Sequence, residues 1–473
     1  RYPLVTGVQT CALPILYSDT GPVMVKADVN KDGLEDLFIS GNASSQGNIW
    51  MQQQNGSFAP IPNLQIVNEE ESAVSAALFA DFNNDTWPDL YVAKGGYSIW
   101  MPNTPALQDE LYINDKKGSF INASKNLPDV AASSKSCVRA SDIDKDGDID
   151  LFVGGRIIPG RYPVTPSSYL LLNDGNGKFT RVRTAFDMIG MVTDAQWTDL
   201  NNDKKPDIII AGEWMPIKIY IQTSNGFEDA TDEYIPNSPS GFWSMLSLHD
   251  MNNDGRLDIV AGNIGQNTPF HVSEKEPGTL IYADFDGNGS VDPFFNFFIQ
   301  GVSYPYVSRD ELNDQIYAMR KKFLNYQQYA NATMNEIFTK EELSRAITLT
   351  ANEQHTTIFL NRENKFTPSD DLPIQVQFSL NRIALFEDAD KDGKEELLLL
   401  GNQTNNRLKM GAIQANKGCL IKQKKDGALE YIDQLKSGLN IQGDVKSALT
   451  LKVDGQNILL VGATNQPLQA YSY

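Results

Sequence analysis

The sequence predicts an all-β fold, a seven-bladed β-propeller carrying one helical insertion, and three observations predict it. A nine-residue acidic pattern recurs along the chain, short apolar runs flank each copy, and a second turn rich in Gly and Asn follows most copies. The flanking runs are too short for helices and read as strands. Asn-Gly and Asp-Gly turns favour tight antiparallel connections, so each repeat supplies two strands around the acidic loop and two around the second turn. Four-stranded repeats of this kind are the blades of a propeller.

The acidic pattern is Asp-x-Asp/Asn-x-Asp-Gly-x-x-Asp followed by an apolar run. The first copy is Asp28, Asn30, Asp32 and Asp36 with Gly33, and the second is Asp81, Asn83, Asp85 and Asp89. The third is Asp142, Asp144, Asp146 and Asp150 with Gly147, and the fourth is Asp199, Asn201, Asp203 and Asp207. The fifth is Asp250, Asn252, Asp254 and Asp258 with Gly255, and a sixth is Asp284, Asp286, Asn288 and Asp292 with Gly289. The last is Asp388, Asp390, Asp392 and Glu396 with Gly393, and around Val453–Gly455 the strands persist without the acids. The copy at Asp284 follows Asp250 by only 34 residues, too few for a blade, and is expected to be an extra hairpin on the fifth repeat. That gives seven blades, with eight as the alternative.

One stretch breaks the pattern. Residues 306–348 are expected to form a helical insertion, because Leu312, Ile316, Met319 and Phe323 fall at helical spacing. Ser308 with Glu311, and Thr339 with Glu342, have the spacing of capping boxes. Residues 1–16 resemble a translated sequencing-library adapter and are set apart from the fold, leaving residues 17–473 for the propeller. The natural protein is then expected to begin further upstream. Setting that stretch apart removes Cys11 and leaves Cys137 and Cys419, whose pairing the sequence leaves open.

Composition narrows the function. With 60 acidic and 40 basic residues the net charge is −20, which argues against a general nucleic-acid binder. Hydrophobic residues make up 41% of the chain, enough for a packed core. No apolar run approaches the roughly 20 residues that span a bilayer. Three cysteines exclude a disulfide-dense scaffold, and three histidines leave little room for a histidine-rich metal site.

Three carboxylates or amides at alternate positions neither pack into an apolar core unpaired nor gather willingly in water. A hard cation resolves both difficulties. Calcium takes six to eight oxygens at roughly 2.3–2.6 Å in irregular geometry, whereas magnesium demands an octahedron and keeps its water. Positions 1, 3 and 5 offer side-chain oxygens, position 7 a carbonyl, and position 9 closes the site from the next strand. An EF-hand begins the same way but needs helices on both sides and Glu at position 12, where Ile39, Val153 and Ala261 stand here. About five to seven calcium sites are expected. Thr86 and Lys204 replace the usual glycine in the second and fourth loops, which weakens the expectation there, and the four carboxylates at Asp142 are expected to bind most tightly.

Copies such as Asp28–Asp36, Asp142–Asp150 and Asp250–Asp258 resemble the FG-GAP/VCBS repeat proteins, whose calcium-loaded propeller is similar to that of the integrin α headpiece. More narrowly, the strings from Gly154 to Pro163 and from Ser308 to Leu312 resemble bacterial proteins related to cartilage acidic protein and UnbV. That resemblance implies an extracellular, cell-surface or periplasmic location, further domains in a longer parent chain, and binding or adhesion more often than catalysis. The calcium loops would be structural. A glycan or protein ligand would meet the connections between second and third strands, with Trp100, Arg156, Arg161, Tyr162, Trp214, Asn263 and Asn402 as ligand-face residues. The competing function is a calcium-dependent polysaccharide lyase or hydrolase, for which no nucleophile elbow, HExxH or P-loop is found.

Overall fold

The protein is described by a computed structural model covering residues 21–41, 47–62, 64, 66, 73–96, 104–130, 133–406 and 409–473. Residues 1–16, read as adapter, and Trp100 lie outside the described residues. The described residues form eight antiparallel sheets, and most acidic loops join the first two strands of a sheet. The first sheet runs Met24–Ala27, Asp36–Ile39, Asn48–Gln52 and Phe58–Pro60, each strand pairing with the next. The second begins at Ala73–Ala80, the third at Ser134–Ser141, the fourth at Met191–Thr198, the fifth at Met245–His249, the sixth at Asn381–Glu387 and the seventh at Val445–Val453. These seven first strands touch in sequence order, and Val445–Val453 touches Met24–Ala27, so the ring closes as a β-propeller. Among the described residues the seventh sheet has three strands, ending at Gln469–Ser472.

Burial explains the sequence pattern. Every residue of Asp89–Gly95 is buried, as are all but the last of Asp207–Pro216, because the second strand is covered on both faces by neighbouring sheets. A separate apolar core fills each gap between consecutive sheets. Phe38, Leu90 and Tyr112 lie between the first and second, and Val260, Leu399 and Ile421 between the fifth and sixth. The gap between the seventh sheet and the first has the smallest core, with Met24, Leu37 and Leu451 as its buried residues. Glycines at the ends of second strands have a packing reason: a Cβ on Gly401 would lie 2.0 Å from the Leu380 carbonyl oxygen, and one on Gly262 2.3 Å from that of Asn381. Cys137 and Cys419 are buried free thiols in different cores, and burial pushes both up to about 12, so they are inert packing residues.

The copy at Asp284 is not an extra hairpin on the fifth repeat. It joins Gly278–Ala283 to Asp292–Ile299 within a complete four-stranded sheet, finished by Val302–Pro305 and Ile347–Ala351. That sheet interrupts the fifth one, whose third strand, Thr357–Arg362, pairs with Asp258–Gly262 only after the insertion. It leans on the fourth sheet through Ile347–Ala351. Five short helices between Arg309 and Ser344 cover it, with Leu312, Ile316, Met319 and Phe323 buried against Phe294 in one core. Ser308/Glu311 and Thr339/Glu342 both form capping boxes.

Candidate functional site

The acidic loops share one backbone device. In the first loop, Asp28 accepts from the N–H groups of Asp32 (3.1 Å) and Gly33 (2.9 Å), Asn30 accepts from Asp32, and Asp32 accepts from Leu34. Side-chain oxygens at positions 1, 3 and 5 thus fold the turn around themselves. Positions 4 and 6 hold positive φ, at Lys31 (60°) and Gly33 (85°) for example. Thr86 and Lys204 adopt the same left-handed conformation (φ 70° and 66°), so the loops lacking glycine keep the shape at a backbone cost.

The last acid of each loop is the anchor. Asp36, Asp89, Asp150, Asp207, Asp258 and Asp292 are fully buried. Asp150 accepts from Ile143 N–H (2.9 Å) inside its loop and from Asn173 N–H (2.8 Å) on the third strand, and Asp36, Asp89, Asp207 and Asp258 repeat the pair of bonds. Burial outweighs these donors and pushes Asp36 and Asp150 up to about 6 and Asp89 up to about 7. A divalent ion beside such a carboxylate favours its charged form and removes that penalty.

Sequence reasoning missed a second set of residues. In five sheets the third strand ends in an amide side chain that reaches the preceding sheet, whereas Asn361 of the fifth donates to Leu257 in its own sheet. Asn114 donates to the Val29 carbonyl, Asn173 to Phe82, Gln222 to Ile143 and Gln423 to Met251, each at 2.8–2.9 Å. Gln52 does the same across the closing gap, to Lys452 at 2.8 Å. Each acceptor except Lys452 is position 2 of an acidic loop, so the loops are also the points where neighbouring sheets are tied. The signal was available as an Asn or Gln recurring at the end of the third strand.

Among the described residues, two loops contain a buried carboxylate oxygen with no protein donor, Oδ1 of Asp142 and Oδ1 of Asp388. In both, the position-5 N–H bonds position 3 and leaves the position-1 oxygen unserved. Ligand oxygens of Asp142, Asp144 and Asp146 lie within 4.8 Å of one another, as do those of Asp284, Asp286 and Asp292, and those of Asp388, Asp390 and Glu396. A close set of oxygens with one left orphaned fits a hard cation. The neutralising groups differ, however. Among the described residues no Lys or Arg pairs with Asp142, Asp144 or Asp146, and burial with the neighbouring acids raises Asp144. In the loop at Asp388 the ammonium of Lys422 contacts Asp390, lies 2.7 Å from Asp392 and 3.4 Å from Glu396. Those acids hold Lys422 above its ordinary value. Lys116 similarly approaches Asp85 at 3.1 Å, and Arg256 approaches Asp254 at 2.8 Å. In the inserted sheet a helix side chain, Gln315, takes the place of the third-strand donor to Asp292.

Four of the ligand-face expectations need correction. Tyr162 and Trp214 are 3% and 4% exposed, and the Trp214 indole N–H donates to the Tyr162 hydroxyl (3.1 Å) within a core shared with Phe242 and Phe295. Asn263 and Asn402 are fully buried. Asn263 donates to Glu353 O, and Asn402 bridges the Asn416 and Gly443 carbonyls. Large rings and amides at sheet ends are drawn inward by packing and by unpaired backbone carbonyls. Arg161 is exposed in the turn after Ile157, and Arg156 pairs with Glu213 at the wall of a central cavity.

Comparison with known proteins agrees with the loop geometry. Residues 28–92 and 199–261 match the FG-GAP-like repeat, so the chain carries FG-GAP-like repeats. No curated protein matches it. Among solved structures it is similar to BBS1N in complex with ARL6DN, at 12% identity and a TM-score of 0.39, covering 97% of this chain and 94% of that one. It is also similar to the V. cholerae biofilm matrix protein Bap1, at 11% identity and a TM-score of 0.37, covering 94% of this chain and 77% of that one.

Proposed function

We propose that the chain is a calcium-stabilised binding or adhesion module, extracellular or at the cell envelope, that recognises a glycan or protein ligand. The observation that carries this reading is the loop at Asp142, where clustered carboxylates surround a buried oxygen that no group among the described residues serves. FG-GAP-like repeats support it, as do the acidic clusters. The closed ring of seven sheets is read as seven blades, with the inserted sheet and its helices as an elaboration of the fifth.

Calcium, when bound, supplies a positive charge that ties positions 1, 3, 5 and 9 together. Asp142, Asp144, Asp146 and Asp150 would hold it in the third sheet, and the equivalent residues from Asp28, Asp81, Asp199, Asp250 and Asp284 elsewhere. These loops secure the strands and the ties between sheets, while ligand recognition falls to the opposite end of the ring. Metal binding to the folded state alone stabilises by mass action, and sites of moderate affinity suit compartments where calcium is abundant. Calcium calorimetry combined with thermal melting, with and without chelator, tests the reading. Several bound ions and a large drop in melting temperature on chelation are expected. No bound ion and no thermal shift would reduce the loops to hydrogen-bonded turns and overturn it.

A further inference from the structure

The inserted sheet keeps an acidic loop but lacks the strand that holds its anchor elsewhere. Its third strand, Val302–Pro305, ends opposite Asn296 and does not reach Asp292. The chain turns instead into the helices, and Gln315 at the end of the first, Arg309–Gln315, donates to Asp292 Oδ1 (3.2 Å). Gln315 is 3% exposed, and its Oε1 has no hydrogen-bond partner among the described residues. Asp292 is therefore the one polar group among them that this buried amide holds.

A second contact runs from the same loop. Phe285, at position 2 between Asp284 and Asp286, stacks on Phe338 of the helical insertion, with ring centroids 3.9 Å apart and planes at 19°. Its backbone N–H donates to Asp292 Oδ2 (3.0 Å), so both contacts spring from one turn. In the ring, position 2 receives the amide of the next sheet and position 9 holds the third strand. Here both positions face the helices.

The helices need that support. Each has four to seven residues, well below the ~12–15 at which an isolated helix is even marginal in water. The other face of the inserted sheet belongs to the ring: Leu280 and Phe295 pack with Trp214, while Phe294 carries the helical core. The helices can loosen without opening the ring. Among the described residues no Lys or Arg pairs with Asp284, Asp286 or Asp292, whose ligand oxygens lie within 4.8 Å of one another. Without a cation, the acids that flank Phe285 repel one another.

We propose that a cation in the loop at Asp284 latches the helical insertion onto the inserted sheet, an inference that rests on the reading of the acidic loops as calcium sites. With the site filled, Asp284, Asp286 and Asp292 close together, Phe285 is fixed against Phe338, and Asp292 is fixed beside Gln315. Gln315 in turn orients a ligating carboxylate, so docked helices and bound ion strengthen each other. Tyr317, Leu324 and Tyr326 are exposed on the helices, so the latch also sets the surface they present.

Hydrogen–deuterium exchange of the full chain in calcium tests the latch. Asp286→Ala removes a ligand oxygen while the Asn288 N–H keeps its bond to Asp284 (3.0 Å). With calcium at ten times the site's dissociation constant, residues 309–344 should exchange about tenfold faster in this variant than in the parent chain, and Asp207–Pro216 in the ring at the same rate. Gln315→Glu sets a further carboxylate against Asp292, so the ratio of exchange in chelator to exchange in calcium should widen at 309–344. A side chain that served packing alone would lose protection equally in both buffers, and that result would overturn the latch. Unchanged exchange at 309–344 in Asp286→Ala, or helices and ring strands loosening together, would also overturn it. If calorimetry and melting still showed calcium binding in the parent chain, the calcium reading would survive that failure. No bound ion in the parent chain would sink both.

Discussion

The loops at Asp142 and at Asp388 have nearly the same sequence pattern and opposite electrostatics. Both bury an unserved position-1 oxygen and bring their carboxylates within 4.8 Å. Only the second contains an ammonium, from Lys422, and the reason lies one strand away. Lys422 precedes Gln423 at the end of a third strand, where the other sheets have Met51, Ile113, Leu172, Ile221 and Leu360. An apolar residue there, such as Leu172 beside the loop at Asp142, brings no charge into the loop from the third strand. Lysine supplies one covalently. The substitution of Glu396 for aspartate at position 9 fits the same arrangement, since its Oε1 faces Lys422 while Oε2 keeps the bond from Ala389 N–H (3.0 Å). On the proposed reading the repeat motif defines a cage for positive charge, and its neighbour decides which charge fills it.

The largest expected effect comes from the anchor. Asp150→Ala leaves the N–H groups of Ile143 and Asn173 buried without acceptors, and should cost about 3 kcal/mol in urea unfolding in chelator and more in calcium. If the loss disappeared in chelator, position 9 would be a metal ligand and little else. Next, Asp144→Asn should lower calcium-dependent stability by roughly 1–2 kcal/mol, with the loss confined to calcium-containing buffer. Asp390→Asn, its counterpart beside Lys422, should leave the calcium response unaltered. Exchanging the third-strand residues sharpens the contrast further. Lys422→Leu should add one bound ion in calorimetry and Leu172→Lys should remove one; unchanged stoichiometry in both would break the account. The smallest effect is expected at Lys204→Gly, which relieves a left-handed backbone and should stabilise by about 0.5 kcal/mol in chelator.

Much of the fold was legible because a repeated motif fixes a repeated environment. Second strands such as Asp207–Pro216 read as unbroken apolar runs since neighbouring sheets cover both faces. The capping boxes at Ser308 and Thr339 marked helices correctly because the reciprocal bonds are local. The copy at Asp284 was misread because its sheet is completed by Ile347–Ala351, beyond the helices, and no local pattern reveals a partner that distant. Tyr162 and Trp214 were placed on the surface because alternation along a strand does not tell an exposed rim from a core between sheets. The amides of Asn114, Asn173 and Gln222 were visible as a recurrence, but their acceptors lie in the preceding repeat. Bulges such as Thr193 leave no mark in composition or periodicity; they emerge only when two strands are set side by side.

The central claim is that one acidic motif holds a metal ion in the third sheet and a lysine in the sixth. A crystal structure determined in calcium, with anomalous difference density, tests it most directly. A peak is expected among Asp142, Asp144, Asp146 and the region of Asp150, and none at Asp388, with the Lys422 ammonium still against Asp390 and Asp392. An ion at Asp388 with Lys422 displaced, or no ion at Asp142, would contradict the account.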